Sequence, residues 1–356
     1  MSTQPVTHDR RGVAYALSAA LLFGASTPCA KTLLARVSPL LMAGLLYLGS
    51  GVGLGLWALL RTIARQHRGD AQLARRDLPW LVAVVLSGGV AAPALLMWGL
   101  ARTPASTSAL LLNLEGVLTA LLAWYVFREN FDRRIALGML AIVGGGVLLS
   151  WGGTPETGVS WGVVAIAAAC GGWALDNNLT RKISASDPVQ IAAIKGLVAG
   201  MTNLALALGT GAAWPPVDVV LSAATLGLVA YGLSLVLFIV GLRHLGSART
   251  GAYFSCAPFI GAALSLLLLR ERPTAVFLVA AALMGLGLWL HLSEMHGHVH
   301  VHGPMAHDHR HEHDVHHRHG HAPGETATGP HAHPHEHEPL EHAHPHYPDI
   351  HHRHEH

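Results

Sequence analysis

Ten stretches of this chain are each apolar over roughly the length that crosses a hydrocarbon layer, and that one feature excludes most folds. They lie near 12–35, 39–61, 78–100, 104–127, 133–151, 160–182, 187–209, 217–242, 246–269 and 273–292 of the 356 residues. A hydrocarbon core about 30 Å thick needs about 20 helical residues. Only helices and closed barrels satisfy their own backbone in lipid, and these runs are continuously apolar, not alternating, so helices are expected. The connections are short, which predicts a compact antiparallel bundle, an all-α integral membrane protein with ten transmembrane helices. Composition agrees: 12% of the residues are charged, against about 25% in soluble domains. The first run exceeds the core of about 7–15 residues of a cleavable signal peptide, so it is expected to remain as a span. Cys29, Cys170 and Cys256 lie in apolar runs without metal-ligand spacing and are expected to be small buried thiols.

Lysine and arginine set the expected orientation. Fourteen of them fall in connections on the side of the N-terminus, against five (Lys31, Arg36, Arg102, Arg270 and Arg272) on the other. Positive charge favours the cytoplasm, so both termini are expected there.

The chain also repeats itself. "GLARTPASTSALLLNLEGVLTALLAWYVFREN" from Gly99 matches "GLRHLGSARTGAYFSCAPFIGAALSLLLLRER" from Gly241. The offset sets Gly99 on Gly241, Ala120 on Ala262, Arg128 on Arg270 and Glu129 on Glu271. A fainter match joins "FGASTPCAKTLL" at Phe23 to "WALDNNLTRKIS" at Trp173. Each repeat then holds five helices, and an odd number inverts the second copy in the membrane. Inverted repeats with a site near the midplane are a recurrent plan of secondary transporters.

On these motifs the chain resembles the drug/metabolite transporter superfamily, of the EamA type, over residues 12–292. The resemblance rests on ten helices in two fives, on the small-residue turn that ends in Lys31, and on the duplicated helix that closes with Glu. It implies a secondary carrier of small organic metabolites, often an exporter, with a central cavity and alternating access and no ATPase part. One departure is that the family's proline stands in the second copy as Pro258 where the first has Gly116. The kink of the fourth helix is therefore expected to differ.

Ionisable groups inside a bilayer are costly, about 2.5–3.5 kcal/mol at a helix centre, and face a cavity or a partner. Glu115 falls near the middle of the fourth helix beside Asn113. It is a candidate proton carrier or binder of a cationic substrate; the plainer reading is a carboxylic acid bonded to neighbouring helices. Asp176 opens the polar run "DNNLTRK" near one end of the sixth helix, and Lys195 lies at a matching depth in the seventh. They are expected to pair, either as a static bridge or as a gate, with Asn177, Asn178 and Asn203 along the same seam. Lys31 is expected to snorkel to the interface; the resemblance makes it a cavity-mouth residue. Trp173 and Tyr231 fit ordinary helix packing or a cavity wall. No phosphate loop and no nucleophile arrangement appears, so neither an ATP-driven pump nor an enzyme is expected.

The tail reads differently. Residues 296–356 hold 23 of the 27 histidines, interleaved with acids, prolines and glycines. So few apolar residues cannot bury a core, and 293–356 is expected to be disordered. Neutral imidazole suits nickel, zinc, cobalt and copper. His309, His311 and His313 of "HDHRHEHD", and His331, His333, His335, His337, His342, His344 and His346 of "HAHPHEHEPLEHAHPH", are candidate ligands of weak, exchanging sites. Protonated histidines docking on anionic lipid are the rival role.

The expected organisation is a cytoplasmic N-terminus (1–11), two five-helix repeats (12–151 and 160–292) and the tail (293–356), in an inner membrane. No cofactor is required and no nucleic-acid partner is expected. The partners are the lipid bilayer, a small solute, a divalent metal at the tail, and a second copy if Gly138, Gly144, Gly145 and Gly146 make a dimer surface. Three arrangements fit: a metabolite exporter with a metal-sensing or buffering tail, an exporter of a divalent metal or its chelate fed by the tail, or an anchor for metal storage. Few carboxylates and no midplane histidine argue against a free metal as cargo.

Overall fold

All ten apolar stretches become helical in the computed structural model, which describes residues 10–63, 75–127, 133–151, 160–183, 187–245 and 247–292, and in the tail 296–302, 305–311, 331–337 and 340–346. α1 is Arg10–Leu33 and α2 is Pro39–Ile63. α3, Leu78–Arg102, is π-helical over Val85–Ala91. α4 comes in two pieces, Ala105–Leu111 and Leu114–Phe127, and α5 is Arg133–Trp151. The second half repeats this order. α6 is Trp161–Thr180 and α7 is Pro188–Gly209. α8 runs from Val217–Gly227 through a π-helical Leu228–Leu233 into Ser234–Leu245. α9 is Ser247–Phe254 and Ala257–Leu268, and α10 is Ala275–Leu292. Among the described residues, eight helices are long and apolar enough to cross a membrane. α6 carries the polar run from Asp176, and the apolar stretch of α10, Ala275–Leu290, is shorter.

Thus the third helix of each half has a π turn, and the fourth helix of each half is broken. The expected difference between the fourth-helix kinks is not found. Pro258 follows the break in α9, where its missing N–H costs nothing at a helix start. In α4 the break needs no proline: Asn113 Nδ2 donates to the Leu110 carbonyl at 2.8 Å, an alternative to the helical ladder.

The packing follows the same duplication. α1 lies against α8 and α9, and α6 against α3 and α4; α2 lies against α7, and α5 against α10. Exchanging the halves leaves these pairings unchanged. Where α2 crosses α7 the backbones touch: a Cβ at Gly196 would lie 2.7 Å from Gly51 Cα, and one at Gly200 would lie 2.5 Å from Leu48 N. At α5–α10, a Cβ at Gly145 would lie 2.7 Å from Met284 Cγ and 2.9 Å from the Ala280 carbonyl. A Cβ at Gly287 of α10 would likewise strike the Gly138 carbonyl. These two candidates for a dimer surface therefore serve contacts within the chain, while Gly144 looks onto open space. One apolar core runs through both halves and includes Leu41, Leu46, Leu100, Leu110, Ile166 and Met284. Cys170 is buried as expected, but Cys29 and Cys256 are partly exposed.

Four stretches of the tail are extended and paired. β1 (His296–His302) pairs antiparallel with β4 (Leu340–His346), and β2 (Met305–His311) pairs with β3 (His331–His337). Histidine at every second position is a strand-like alternation, and the ladders satisfy backbone groups without any core. His313, Arg128 and Glu129 lie outside the described residues.

Candidate functional site

A π turn frees backbone carbonyls from the regular ladder, and the one in α3 is met by side chains from three other helices. The Gly88 carbonyl accepts from Tyr47 Oη of α2 at 2.8 Å and from Trp173 Nε1 of α6 at 3.0 Å. Asn203 Nδ2 of α7 donates to the Gly89 and Val90 carbonyls at 3.3 and 3.4 Å. Gly88 leaves room for the Asp176 carboxylate, which a Cβ there would strike.

Asp176 is buried and pairs with Lys195, as the matching depths predicted. Thr180 Oγ1 donates to its other oxygen at 3.2 Å. One residue on, Asn177 Nδ2 donates to Glu115 Oε1 at 3.0 Å and reaches Thr119 Oγ1 at 3.4 Å. Asn178 Nδ2 donates to the Thr119 carbonyl at 3.2 Å and to Ala174 at 2.9 Å. The run Asp176–Asn177–Asn178 thus ties an ion pair on α7 to a carboxylate on α4. Glu115 stands in the first turn of the second piece of α4. The positive end of that helix dipole faces its carboxylate and lowers the cost of a charge there. Among the described residues, no cation pairs with Glu115. Asn177 is exposed and Glu115 partly so.

The equivalent place in the second half is aromatic. Tyr231, in the π turn of α8, lies 5.9 Å from the Tyr47 ring and 5.7 Å from Phe23. Phe254, at the break of α9, lies 5.5 Å from Phe23 and 5.0 Å from Phe238. The two π turns and the two breaks therefore carry polar groups in one half and rings in the other, joined through Tyr47.

Two sequence candidates act elsewhere. Asn113 is spent on the α4 break. Lys31 spends its ammonium on the end of α3, donating to the carbonyls of Leu100, Ala101 and Thr103 at 2.6, 3.3 and 2.9 Å. Sequence reasoning missed Tyr47 and Thr119, single hydroxyls in apolar text. It also missed the role of Glu271, whose carboxylate accepts from Ala105 N at 2.8 Å and Ser106 N at 3.0 Å. The signal for that residue was present, since Glu271 closes the repeated motif. Among the described residues, no three His, Cys, Asp or Glu gather as a metal site.

The EamA-like transporter family matches residues 10–151 and 160–293, the two halves just described. An uncharacterized transporter of Methanothermobacter thermautotrophicus is 28% identical over 269 residues, 72% of this chain and 78% of its own. An uncharacterized transporter of Synechocystis sp. is 25% identical over 207 residues, 52% of this chain and 60% of its own. A crystal structure that covers 78% of this chain and 94% of its own superposes with a TM-score of 0.57 at 18% identity, a likeness of fold.

Proposed function

We propose that this chain, which belongs to the EamA-like transporter family, is a secondary transporter that exports a small solute by alternating access. In this reading ten helices span the inner membrane as two inverted five-helix repeats, with both termini in the cytoplasm. The exchangeable pairing of the halves supports inversion, because five crossings reverse the second copy. That the protein is a multi-pass membrane transporter, and not an enzyme, follows from the family itself.

The observation that carries the mechanism is the charge balance around α6. Asp176 is answered by Lys195, whereas among the described residues the Glu115 carboxylate is met by Asn177 and stands partly open. A carboxyl group so placed takes up and releases a proton, or a cation of the solute, as access changes. The ring-lined counterpart site favours a solute with an apolar part opposite its charged one. The carboxyl and its cargo then alternate: protonation of Glu115 releases a bound cation, and deprotonation readies the site.

A second reading concerns metal. The paired strands set His296, His298 and His300 opposite His346, His344 and His342, and His307, His309 and His311 opposite His335, His333 and His331. This register supports a tail that gathers nickel, zinc, cobalt or copper on the cytoplasmic side, as regulator or as collector for efflux.

Both readings are tested in proteoliposomes loaded with a pH-sensitive dye and challenged with organic amines, amino acids, carboxylates, and nickel, cobalt and zinc salts. At least one compound should drive proton flux through the full chain, and E115Q should lose it about tenfold or more. Equal flux through E115Q removes Glu115 from coupling. Metal-driven flux makes metal a cargo; its fall when the chain ends at Ser293 makes the tail a collector, and flux that the truncation leaves intact makes the tail a buffer.

A further inference from the structure

We infer that the turn between α3 and α4 is a latched gate, with Glu271 as the latch and the break in α4 as the hinge. Only Thr103 and Pro104 separate the two helices. Helix ends leave carbonyls and amides without partners, and here both ends are answered by charged side chains. Lys31 takes the carbonyl end of α3 at 2.6–3.3 Å. Glu271 takes the amide end of α4, accepting from Ala105 N at 2.8 Å, Ser106 N at 3.0 Å and Ser106 Oγ at 2.5 Å. Each charge meets the helix pole of opposite sign. Lys31 belongs to the first half and Glu271 to the second, so the latch joins the halves.

The delivery of Glu271 is itself built. Arg270, the residue before it, has φ 54°, a left-handed backbone that a non-glycine residue adopts at a cost. It turns the chain after α9 back toward α4. Arg36 at the end of α1 and Asp218 at the start of α8 also join the halves, at 2.6 Å. Chain direction puts all these ends on one face, where α1, α3 and α9 finish and α4 begins.

Three features lie in order along α4: the latched amides at Ala105 and Ser106, the break at Leu112 and Asn113, and Glu115 three residues after the first of these two. The latched piece, Ala105–Leu111, lies on the second piece of α9, with Gly261 close to Ala109, and also packs against α1 and α6, with Leu110 and Leu111 in the core. A seven-residue piece with a break at one end and exchangeable hydrogen bonds at the other moves as a unit when those bonds open. Its release from Glu271 opens the site beside Glu115 toward this face; the sense of opening rests on the transport reading, the latch on the contacts alone.

The test uses the full chain in proteoliposomes with its three cysteines replaced (Cys29→Ser, Cys170→Ala, Cys256→Ser) and Asn177→Cys as reporter. A membrane-impermeant maleimide is added to one face at a time. E271Q should raise labelling from the face that bears the α3–α4 turn by about tenfold and lower it from the opposite face, and S106A should do so more weakly. An unchanged rate, or an equal rise from both faces with a lower melting temperature, overturns the latch and leaves Glu271 a structural cap. No cargo is needed, so this outcome is separate from the flux test of Glu115.

Discussion

Two acids share the polar seam of this protein, and they differ in what answers them. Asp176 is sealed between Lys195 and the π turn at Gly88, while Glu115 is left to an exposed amide. Removing one member of a buried pair leaves an uncompensated charge, typically about 3–5 kcal/mol, whereas removing both costs far less. D176N should therefore melt well below the parent in detergent, and D176N/K195M should recover most of the loss. A double variant as unstable as the single one would show that the pair is held by something other than its charges. The Asp176–Lys195 pair was legible in the sequence because helical rise converts residue number into depth. Glu115–Asn177 was not, because two residues at suitable depths on non-adjacent helices meet only once tertiary packing has set helix rotation. Tyr47 was hidden for a related reason: one hydroxyl within "LLYLGSG" says nothing about which carbonyl it will find.

At the scale of elements, the ten apolar runs were read as helices with little error, since lipid leaves the backbone no alternative. What the text did not disclose was the departure from regularity within them. Neither π turn carries a proline, glycines like their Gly88, Gly89 and Gly232 recur throughout the other helices, and the break in α4 depends on a side-chain hydrogen bond from Asn113. Proline logic alone placed a kink in α9 and doubted one in α4. Glycine is a second case. Four glycines of α5 looked alike in sequence, but only the fold separates Gly138 and Gly145, which face α10, from Gly146, which faces Leu114 of α4, and Gly144, which faces open space. Overpacking a tight helix contact costs about 1–3 kcal/mol. G145L should accordingly lower the melting temperature in detergent by several degrees, while G144L, whose new side chain meets open space, should leave it nearly unchanged. Equal effects would mean that α5 and α10 are not packed as described.

For the whole molecule, the informative fact is that its halves share one helix plan but not one chemistry. The first half puts a π turn and a break where polar groups gather; the second puts the same devices where rings gather. Duplication was readable from the Arg–Glu that ends each repeated helix, because equal spacing survives divergence. The asymmetry was not, since it arises where α1, α2, α6 and α7 bring side chains from distant sequence to those two places. On the proposed alternating-access reading, one central site is exposed to each face in turn. The most direct measurement is therefore the reaction of the Asn177→Cys reporter, in the cysteine-free full chain, with an impermeant maleimide added to each face of sealed proteoliposomes. Alternating access predicts labelling from both faces, with the vesicles still holding an imposed proton gradient. Labelling from one face alone, or from both with the gradient lost, would contradict it, the first by making the seam a blind pit and the second by making it a pore.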